Sequence, residues 1–402
     1  MDNLDHRQLG NKLDLFHQQE EGPGMVFWHP RGWALYRVVE DYVRRRMRRA
    51  GFREIRTPQL LSRSLWERSG HWDKFQAHMY SLADAEENRP YCLKPMSCPC
   101  HVQIFSQRVR SWRDLPVRYS EFGACHRDEP TGSLEGLKRT RAFTQDDAHV
   151  FCAEEHIEAE VSRFCDLLRV VYGDLGFASF DVLLATRPDV RAGDDATWDR
   201  AEAALAAAAS SAGLAFDVRR GEGAFYGPKL EFHLTDSRAR SWQCGTIQLD
   251  FVLPERLDAR FVNAANEHVR PVMIHHAVLG SMERFIAMLL EHHEGWLPLW
   301  LAPDQVAVAT VSDASMGWGQ HVVSLLEDAG LRTVFDNRPE RLEKKIVDAR
   351  EQQVPLFVAA GPRDERAGTL AVRLRDGTQS VYPIDEGIEH LRTMAESPLI
   401  AR

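Results

Sequence analysis

Residues 116–149 most constrain the fold of this chain, because they contain two strand-like runs separated by a loop rich in glycine and proline. The first run carries Arg127 and Glu129, and the second covers residues 139–149. Side chains alternate between the two faces of a strand, so the odd-numbered residues of the second run are predicted to share one face. These residues are Arg139, Arg141, Phe143, Gln145, Asp147 and His149.

This predicted face combines guanidinium groups, an aromatic ring, an amide, a carboxylate and an imidazole. Such a row is a poor hydrophobic core. It suits a polyanionic ligand that carries a planar base, because arginine binds phosphates and an aromatic ring stacks on the base. A solvated hairpin face is the alternative, and the charged residues alone would favour it. The aromatic and amide content, together with matching segments elsewhere in the chain, favours a binding face.

The strings HRDE and FTQDDAH within this region resemble motif 2 of the class II aminoacyl-tRNA synthetases of the threonyl type. Six further segments resemble blocks of the same family and occur in the family's order. They are GMVFWHPRGW (24–33), LWERSGHW (65–72), YCLKPMSCPCHVQIF (91–105), GEGAFYGPK (221–229), WQCGTIQLDF (242–251) and MIHHAVLGSMERF (273–285). One such match could arise by chance, whereas seven in the same order could not.

The resemblance implies a fold and a reaction. It implies an α+β class II synthetase catalytic domain with an antiparallel sheet at residues 1–301, followed by a small α/β domain of the anticodon-binding type at residues 302–402. Strands and helices alternate after residue 302, as expected for such an α/β unit. The implied reaction is the ATP-dependent activation of L-threonine to threonyl-adenylate and its transfer to tRNA(Thr). The resemblance also implies a homodimer, because residues 53–58 resemble motif 1, which forms the two-fold interface in this class.

The resemblance also assigns the nucleotide site. Arg127 resembles the arginine that bridges the amino-acid carboxylate and the α-phosphate, and Glu129 the carboxylate that holds the adenine amino group. Phe143 matches the ring that stacks on adenine. The other predicted ATP contacts, with Mg²⁺ accompanying the nucleotide, are Arg139, Gln243, Thr246 and Arg284, and Lys229 is a further candidate. His71 is the third predicted catalytic residue beside Arg127 and Arg284, and it matches a histidine that assists transfer to the tRNA ribose.

Threonine recognition calls for a metal ion. Threonine and valine are nearly isosteric, so an apolar pocket separates them poorly, whereas a metal can bind both the amino group and the hydroxyl of threonine. Cys98, His149 and His275 match the family's three zinc ligands, which implies one Zn²⁺ per subunit. The remaining residues of the predicted threonine site are Asp147, Gln145, Tyr226, Gln248 and Met96.

The composition of the chain bears on where in the cell the protein is expected to act. The 402-residue chain contains seven cysteines, an odd number without the spacing of a disulfide framework, which predicts a cytoplasmic protein. Its apolar runs are too short to cross a bilayer, and its polar N-terminus is unlike a signal peptide. The chain begins where the catalytic domain of the family would begin. We therefore expect no editing in cis and no hydrolysis of Ser-tRNA.

Several departures from the family pattern keep a second function open. Residues 302–402 contain 12 Lys and Arg against 16 Asp and Glu, a net charge of −4, which weakens the expected affinity for tRNA(Thr). The alternative is a threonine-activating paralogue that transfers the aminoacyl group to a carrier protein or a small molecule. A non-enzymatic binding module is disfavoured, because it has no use for a full adenylation set. For Cys100 a buried bystander is favoured over a thiolate that competes for the metal, and His276 replaces a family arginine near the site.

Overall fold

The computed structural model describes residues 5–82 and 90–399. These residues form two compact units, one made of residues 5–17, 27–42 and 289–399, the other of residues 18–26, 43–82 and 90–288. None of the helices in this described part combines the length and hydrophobicity needed to cross a lipid bilayer.

The helices are α1 (His6–Lys12), α2 (Pro30–Arg49), α3 (Arg63–Ser69), α4 (His71–Phe75), α5 (Cys98–Phe105), α6 (Ile157–Asp174), α7 (Asp195–Ser211), α8 (Leu253–Arg256), α9 (Met282–His292), α10 (Met316–Asp328), α11 (Leu342–Glu351), α12 (Pro362–Ala367) and α13 (Ile384–Met394). The strands are β1 (Phe16–His17), β2 (Phe27–Trp28), β3 (Arg53–Glu54), β4 (Leu60–Ser62), β5 (Ser81–Leu82), β6 (Tyr91–Leu93), β7 (Arg110–Ser111), β8 (Val117–His126), β9 (Ala142–Cys152), β10 (Asp181–Ala185), β11 (Asp217–Arg219), β12 (Lys229–Thr235), β13 (Ser241–Asp250), β14 (Phe261–Val262), β15 (His268–Val269), β16 (Val272–Ser281), β17 (Val306–Thr310), β18 (Thr333–Asp336), β19 (Leu356–Ala360), β20 (Thr369–Leu374) and β21 (Gln379–Pro383).

The unit that contains residues 90–288 is built on an eight-stranded sheet in the order β11-β10-β12-β13-β16-β9-β8-β3. Neighbouring strands from β10 to β8 are antiparallel, and only the terminal pairs β10–β11 and β8–β3 are parallel. Helix α6 packs on this sheet through Val161, Phe164 and Leu168, whose spacing places them on one face of the helix. The predicted antiparallel catalytic sheet is confirmed.

The predicted strand pair of residues 116–149 is present but shorter than the sequence indicated. Strands β8 and β9 pair up to His126 and Ala142, so Arg127, Glu129, Arg139 and Arg141 lie in the connecting loop rather than on the strands. The N–H of Arg127 still donates to the carbonyl of Arg141 at 2.8 Å. Regular pairing ends soon after, because Pro130 has no N–H to offer a ladder.

The unit that contains residues 289–399 carries a five-stranded sheet in the order β18-β17-β19-β20-β21. The pairs β17–β18 and β17–β19 are parallel, and the last two pairs are antiparallel. Its core includes Val306, Val308, Leu326, Leu356 and Val358, which are all buried. Helices α10 to α13 connect and cover the strands, so the predicted small α/β domain is confirmed.

Candidate active site

A cavity of about 830 Å³ opens on the face of the eight-stranded sheet formed by β9, β12, β13 and β16. Fifteen of the sixteen residues that the sequence predicted for the site line this cavity. They are Met96, Cys98, Arg127, Glu129, Arg139, Phe143, Gln145, Asp147, His149, Tyr226, Gln243, Thr246, Gln248, His275 and Arg284. The odd-numbered residues of β9 from 143 to 149 do share one face, as the alternation predicted.

Arg127 lies at the mouth of the strand pair with its guanidinium held on both sides. Its Nε donates to the carbonyl of Pro95 at 3.1 Å, and its Cζ lies 5.0 Å from the ring centre of Phe143 and 5.6 Å from that of Phe75. The hydrogen bond and the two ring contacts hold the guanidinium in place at the cavity that Arg127 lines. Arg127 is therefore preorganised to contact an anion.

Arg284 lies in the first turn of α9 and lines the same cavity. Its Nε donates to the carbonyl of Lys138 at 2.9 Å, and a terminal nitrogen donates to the carbonyl of Gln243 at 2.8 Å. The side-chain amide of Gln243 in turn donates to the hydroxyl of Thr246 at 2.6 Å. These bonds join three of the predicted ATP contacts into one network.

Gly280 precedes α9 and lines the cavity. Its backbone conformation and its close packing both require a glycine here. Its φ is +85°, and a Cβ at this position would lie 2.4 Å from the carbonyl oxygen of Cys244. The buried carboxylate of Asp146 accepts the N–H groups of Val278, Leu279 and Gly280 at 2.7–2.9 Å, which holds this irregular end of β16 in place.

Asp147 occupies the inner part of the cavity beside the cysteine and histidine side chains. Its Oδ2 accepts the backbone N–H of Ser97 at 3.2 Å, and its Oδ1 lies 3.6 Å from Nε2 of His149. Burial raises the pKa of Asp147 above its ordinary value. The buried Oε1 of Gln145 has no hydrogen-bond partner within the described residues, so this wall offers a free acceptor to a ligand.

Tyr226 and Gln248 complete the inner wall. The ring of Tyr226 lies 5.2 Å from that of His275, centre to centre. The amide of Gln248 donates to the carbonyl of Gly227 at 2.9 Å, which fixes its orientation. A ligand held at Cys98, His149 and His275 would therefore contact a phenol and an oriented amide.

The predicted metal ligands do converge. One donor atom from each of Cys98, His149 and His275 lies within 4.8 Å of the other two, and all three residues are buried. Nε2 of His149 lies 3.0 Å from Nδ1 of His275. A thiol and two imidazoles are a common donor set for zinc in proteins. Burial raises the pKa of Cys98 well above its ordinary value and lowers that of His149 well below.

The orientation of His275 supports this donor set. Its Nε2 lies 2.9 Å from Oδ2 of Asp250, a fully buried carboxylate that can only accept a hydrogen bond when ionised. A neutral His275 therefore carries its proton on Nε2, which leaves the lone pair of Nδ1 directed at His149. Carboxylates beside metal-binding histidines commonly fix the tautomer in this way. The three residues fit a zinc ion.

His71 is the one predicted site residue outside the cavity lining. It is fully buried, with Nδ1 2.8 Å from the hydroxyl of Ser69, and Nε2 3.0 Å from Sδ of Met96 and 3.7 Å from Sγ of Cys98. Burial lowers the pKa of His71 to about 3, so the ring is neutral. The structure thus places His71 behind the wall formed by Met96 and Cys98.

Two departures from the family pattern lie away from the ligand cluster. The imidazole of His276 contacts the rings of Phe52 and Phe164 at 4.9 and 4.8 Å, because alternation along β16 turns it away from His275. The ring of His276 thus packs against two aromatic side chains, while the residue itself borders the cavity. Cys100 is buried two residues beyond Cys98 on α5, and burial raises the pKa of its thiol to about 11.

Sequence reasoning missed several residues of this site. Phe75, Lys138, Arg240 and Trp242 line the cavity, and His101 and Asp250 contact the metal-binding histidines. Two of them carried a signal. His101 follows Cys98 by three residues on a helix, and Asp250 shares a strand face with Gln248, so periodicity alone could have found both.

Comparison with known proteins identifies the family. A family model described as the class II core domain of tRNA synthetases (G, H, P, S and T) matches residues 80–293, and one described as an anticodon binding domain matches residues 305–394. The chain is 53% identical over 399 residues to a threonine–tRNA ligase of Caulobacter vibrioides, which covers 99% of this chain and 61% of that protein. It is 50% identical over 389 residues to a threonine–tRNA ligase of Burkholderia multivorans, covering 96% of this chain and 61% of the relative.

Solved structures agree in fold over nearly the whole chain. The RNA binding domain of threonyl-tRNA synthetase from Cryptosporidium parvum is 38% identical, with a TM-score of 0.94 and coverage of 98% of this chain and 100% of that one. A putative threonyl-tRNA synthetase from Aeropyrum pernix is 28% identical, with a TM-score of 0.79 and coverage of 98% of each chain. The chain belongs to the threonyl-tRNA synthetase family of class II aminoacyl-tRNA synthetases.

Proposed function

We propose that this protein is a threonine–tRNA ligase that activates L-threonine with ATP and transfers it to tRNA(Thr). One observation carries the proposal. The Cys98, His149 and His275 donor set opens into the same cavity as Arg127 and Arg284, so a site for a hydroxylated amino acid adjoins a site for a nucleotide.

In the activation step a carboxylate oxygen of threonine attacks the α-phosphorus of ATP, and pyrophosphate leaves. Two anions must approach each other, so fixed positive charge near the reacting atoms is the main requirement. Arg127 would contact both the carboxylate and the α-phosphate. Its cation–π contact with Phe143 and its bond to Pro95 support this role, because they hold the guanidinium in place before substrate binds.

The nucleotide would lie between Arg127 and Arg284. Phe143 would stack on adenine, with Glu129 accepting from its amino group, and Gln243 and Thr246 would contact the ribose and phosphates with Arg284. Arg139, which is exposed, would reach the γ-phosphate side, and Lys229 lines the cavity as a further cation. ATP would bind with Mg²⁺, as in class II synthetases generally.

Threonine selection would depend on Cys98, His149 and His275, which would hold one Zn²⁺ per subunit. When bound, the ion supplies a Lewis acid that ligates both the amino group and the hydroxyl of threonine, and valine lacks the second ligand. Asp147 would accept hydrogen bonds from the amino group. Gln145, Tyr226, Gln248 and Met96 would enclose the rest of the side chain.

In the transfer step a ribose hydroxyl of the acceptor attacks the carbonyl carbon of the adenylate, and AMP leaves. His71 is the proposed assisting residue. It lies beside Met96, and a shift of the Met96 side chain would be needed to expose Nε2 of His71 to the cavity.

The altered C-terminal domain is the reason to consider an acceptor of the aminoacyl group other than tRNA. Arg338 pairs with Asp336 at 2.7 Å and with Asp348 at 2.8 Å, and Lys344 pairs with Asp348 at 2.5 Å. Cations engaged in this way are less available to phosphates. The alternative is therefore a threonine-activating enzyme that transfers the aminoacyl group to a carrier-protein thiol or a small-molecule amine.

We further propose the division into a catalytic domain at residues 1–301 and an anticodon-binding-type domain at residues 302–402. The two family matches, at residues 80–293 and 305–394, flank that boundary and support it. A cytoplasmic homodimer completes the proposal. Strand β3, within residues 53–58, is the terminal strand of the eight-stranded sheet and is exposed, as an interface segment would be in the free subunit.

Two assays in sequence test this function. Threonine-dependent exchange between ATP and pyrophosphate measures activation, and charging of tRNA(Thr) with labelled threonine measures transfer. We expect both. Exchange without charging would reject the ligase in favour of the alternative acceptor, and no exchange would reject both enzymes.

A further inference from the structure

A buried chain of hydrogen bonds leads away from the cavity on the far side of His149. Nδ1 of His149 lies 2.8 Å from Nδ1 of His101, and Nε2 of His101 lies 3.1 Å from Oε2 of Glu121. The three residues are 1%, 0% and 3% exposed, so water does not compete for these contacts.

Glu121 is held as an anion at the end of this chain. Its carboxylate accepts the N–H and the hydroxyl of Thr57, both at 2.8 Å, and the ammonium of Lys94 lies 3.2 Å away. Burial alone would raise the pKa of Glu121, but the bonds from His101 and Thr57 and the charge of Lys94 lower it to about 2. Glu121 can therefore only accept hydrogen bonds.

This acceptor determines the position of each proton along the chain. In its neutral form an imidazole has one N–H, and the form of His101 that satisfies Glu121 carries this proton on Nε2. Nδ1 of His101 is then an acceptor, and the neighbouring Nδ1 of His149 must donate to it. The proton of His149 thus lies on Nδ1, and the lone pair of Nε2 faces His275 and Cys98.

We propose that His101 and Glu121 are positioning residues that fix His149 in the tautomer able to bind a metal through Nε2, an inference that rests on the metal site of the proposed function. Asp250 fixes the tautomer of His275 in the same way, by accepting a hydrogen bond from the N–H at Nε2. The lone pairs of His149 Nε2 and His275 Nδ1 therefore face each other, with the two nitrogens 3.0 Å apart. Two lone pairs at this distance repel, and a cation between them and Cys98 relieves the repulsion. The polar chain thereby favours the metal-bound form.

Two substitutions of His101 separate this role from simple packing. In His101→Asn the amide oxygen can replace Nδ1 as the acceptor for His149, whereas His101→Leu has a similar bulk and no acceptor. Changes in residues that orient metal ligands typically cost about 10–100-fold in metal affinity. We expect a loss in this range for His101→Leu and a smaller loss for His101→Asn, measured by competition for Zn²⁺ with a chromophoric chelator.

A matched control is present in the other compact unit. His6 and Glu291 form a buried imidazole–carboxylate pair at 2.8 Å, and His6→Leu should leave zinc affinity unchanged while lowering stability. Urea denaturation and circular dichroism of each variant identify those that do not fold. The visible absorption of Co²⁺-substituted protein provides a second measurement, because a change in the coordination at His149 alters the ligand-field bands.

The outcomes are distinct because zinc affinity is measured without threonine or ATP. Ordered affinities, wild type above His101→Asn above His101→Leu, support the proposal even if the protein does not activate threonine. If the wild type and the folded His101 variants bind zinc with equal affinity, the positioning role of His101 is wrong, while the assignment of Cys98, His149 and His275 as ligands is unaffected. A wild-type protein that binds no zinc overturns both this proposal and the metal site.

Discussion

Asp250 holds His275 through one carboxylate oxygen and the protein backbone through the other. Oδ2 lies 2.9 Å from Nε2 of His275, and Oδ1 accepts the N–H groups of Val252 and Leu253 at 2.7 and 2.9 Å. The two backbone bonds prevent the carboxylate from rotating, so the histidine ring is oriented before any ligand arrives. Preorganisation of this kind is what a site for a small, hydroxylated amino acid requires.

The first prediction concerns the metal. Cys98→Ala should remove bound zinc and threonine-dependent exchange, because two imidazoles alone hold zinc far less tightly than the full donor set. Metal content by mass spectrometry and pyrophosphate exchange measure the two effects. The fold should persist, because the ligand cluster lies in a cavity wall within an extensive core.

Cys165→Ala is the control for this substitution. Cys165 is equally buried but lies on α6, outside the ligand cluster, and burial raises the pKa of its thiol to about 11. This variant should keep its zinc and its exchange activity. Equal zinc content in both variants would refute the assignment of Cys98.

The second prediction concerns Arg127. Arg127→Ala should lower exchange by about 10²–10³-fold, since the arginine is proposed to stabilise charge that develops in the transition state. Arg127→Lys keeps the positive charge but loses the planar guanidinium and much of its stacking on Phe143. Its exchange activity should therefore lie between those of the wild type and Arg127→Ala. An effect confined to the Michaelis constant for tRNA would contradict the proposed role.

The third prediction concerns pH and stability. Glu283 is buried at the start of α9, where its carboxylate accepts the N–H of Thr144 at 3.0 Å, and burial raises its pKa to about 8. Between the unfolded pKa near 4.5 and about 8, the folded protein therefore binds a proton that the unfolded chain has released. The free energy of unfolding should fall as pH rises through this window, by at most about 1.4 kcal/mol per pH unit.

Glu283→Gln removes this titration and keeps the shape of the side chain. Urea denaturation at pH 5 and pH 8 should show that the variant gains stability relative to the wild type at the higher pH. A wild-type minus variant difference that is constant with pH would show that Glu283 titrates normally.

Much of this site could be predicted from sequence, because most of its residues lie on a strand face. Period-two alternation placed Phe143, Gln145, Asp147 and His149 together, and the structure agrees. The resemblance to the family added Cys98 and His275, which lie far from β9 in sequence. No spacing rule connects these two to His149.

Other features depend on three-dimensional packing and could not be predicted. The approach of Gly280 to Cys244 depends on an irregularity in the pairing of β16 with β9. The bond between Glu121 and Thr57 joins residues 64 positions apart. The contacts of the His276 ring with Phe52 and Phe164 depend on which face of β16 the side chain occupies, which the sequence alone does not show.

The fourth prediction concerns assembly. If residues 53–58 form a two-fold interface, the protein should be a homodimer at micromolar concentration, as measured by light scattering. Arg53→Glu places an opposite charge on the exposed strand β3 and should weaken the dimer. A fully active monomer would contradict this prediction.

The most direct test of the central claim compares amino acids in the pyrophosphate exchange assay with zinc-loaded wild-type protein. Threonine should support rapid exchange, and serine should support slower exchange, because it keeps both the amino group and the hydroxyl but lacks one methyl group, a difference of about 1–3 kcal/mol. Valine should support almost none. Exchange with valine close to that with threonine, or no exchange with threonine, would contradict the account.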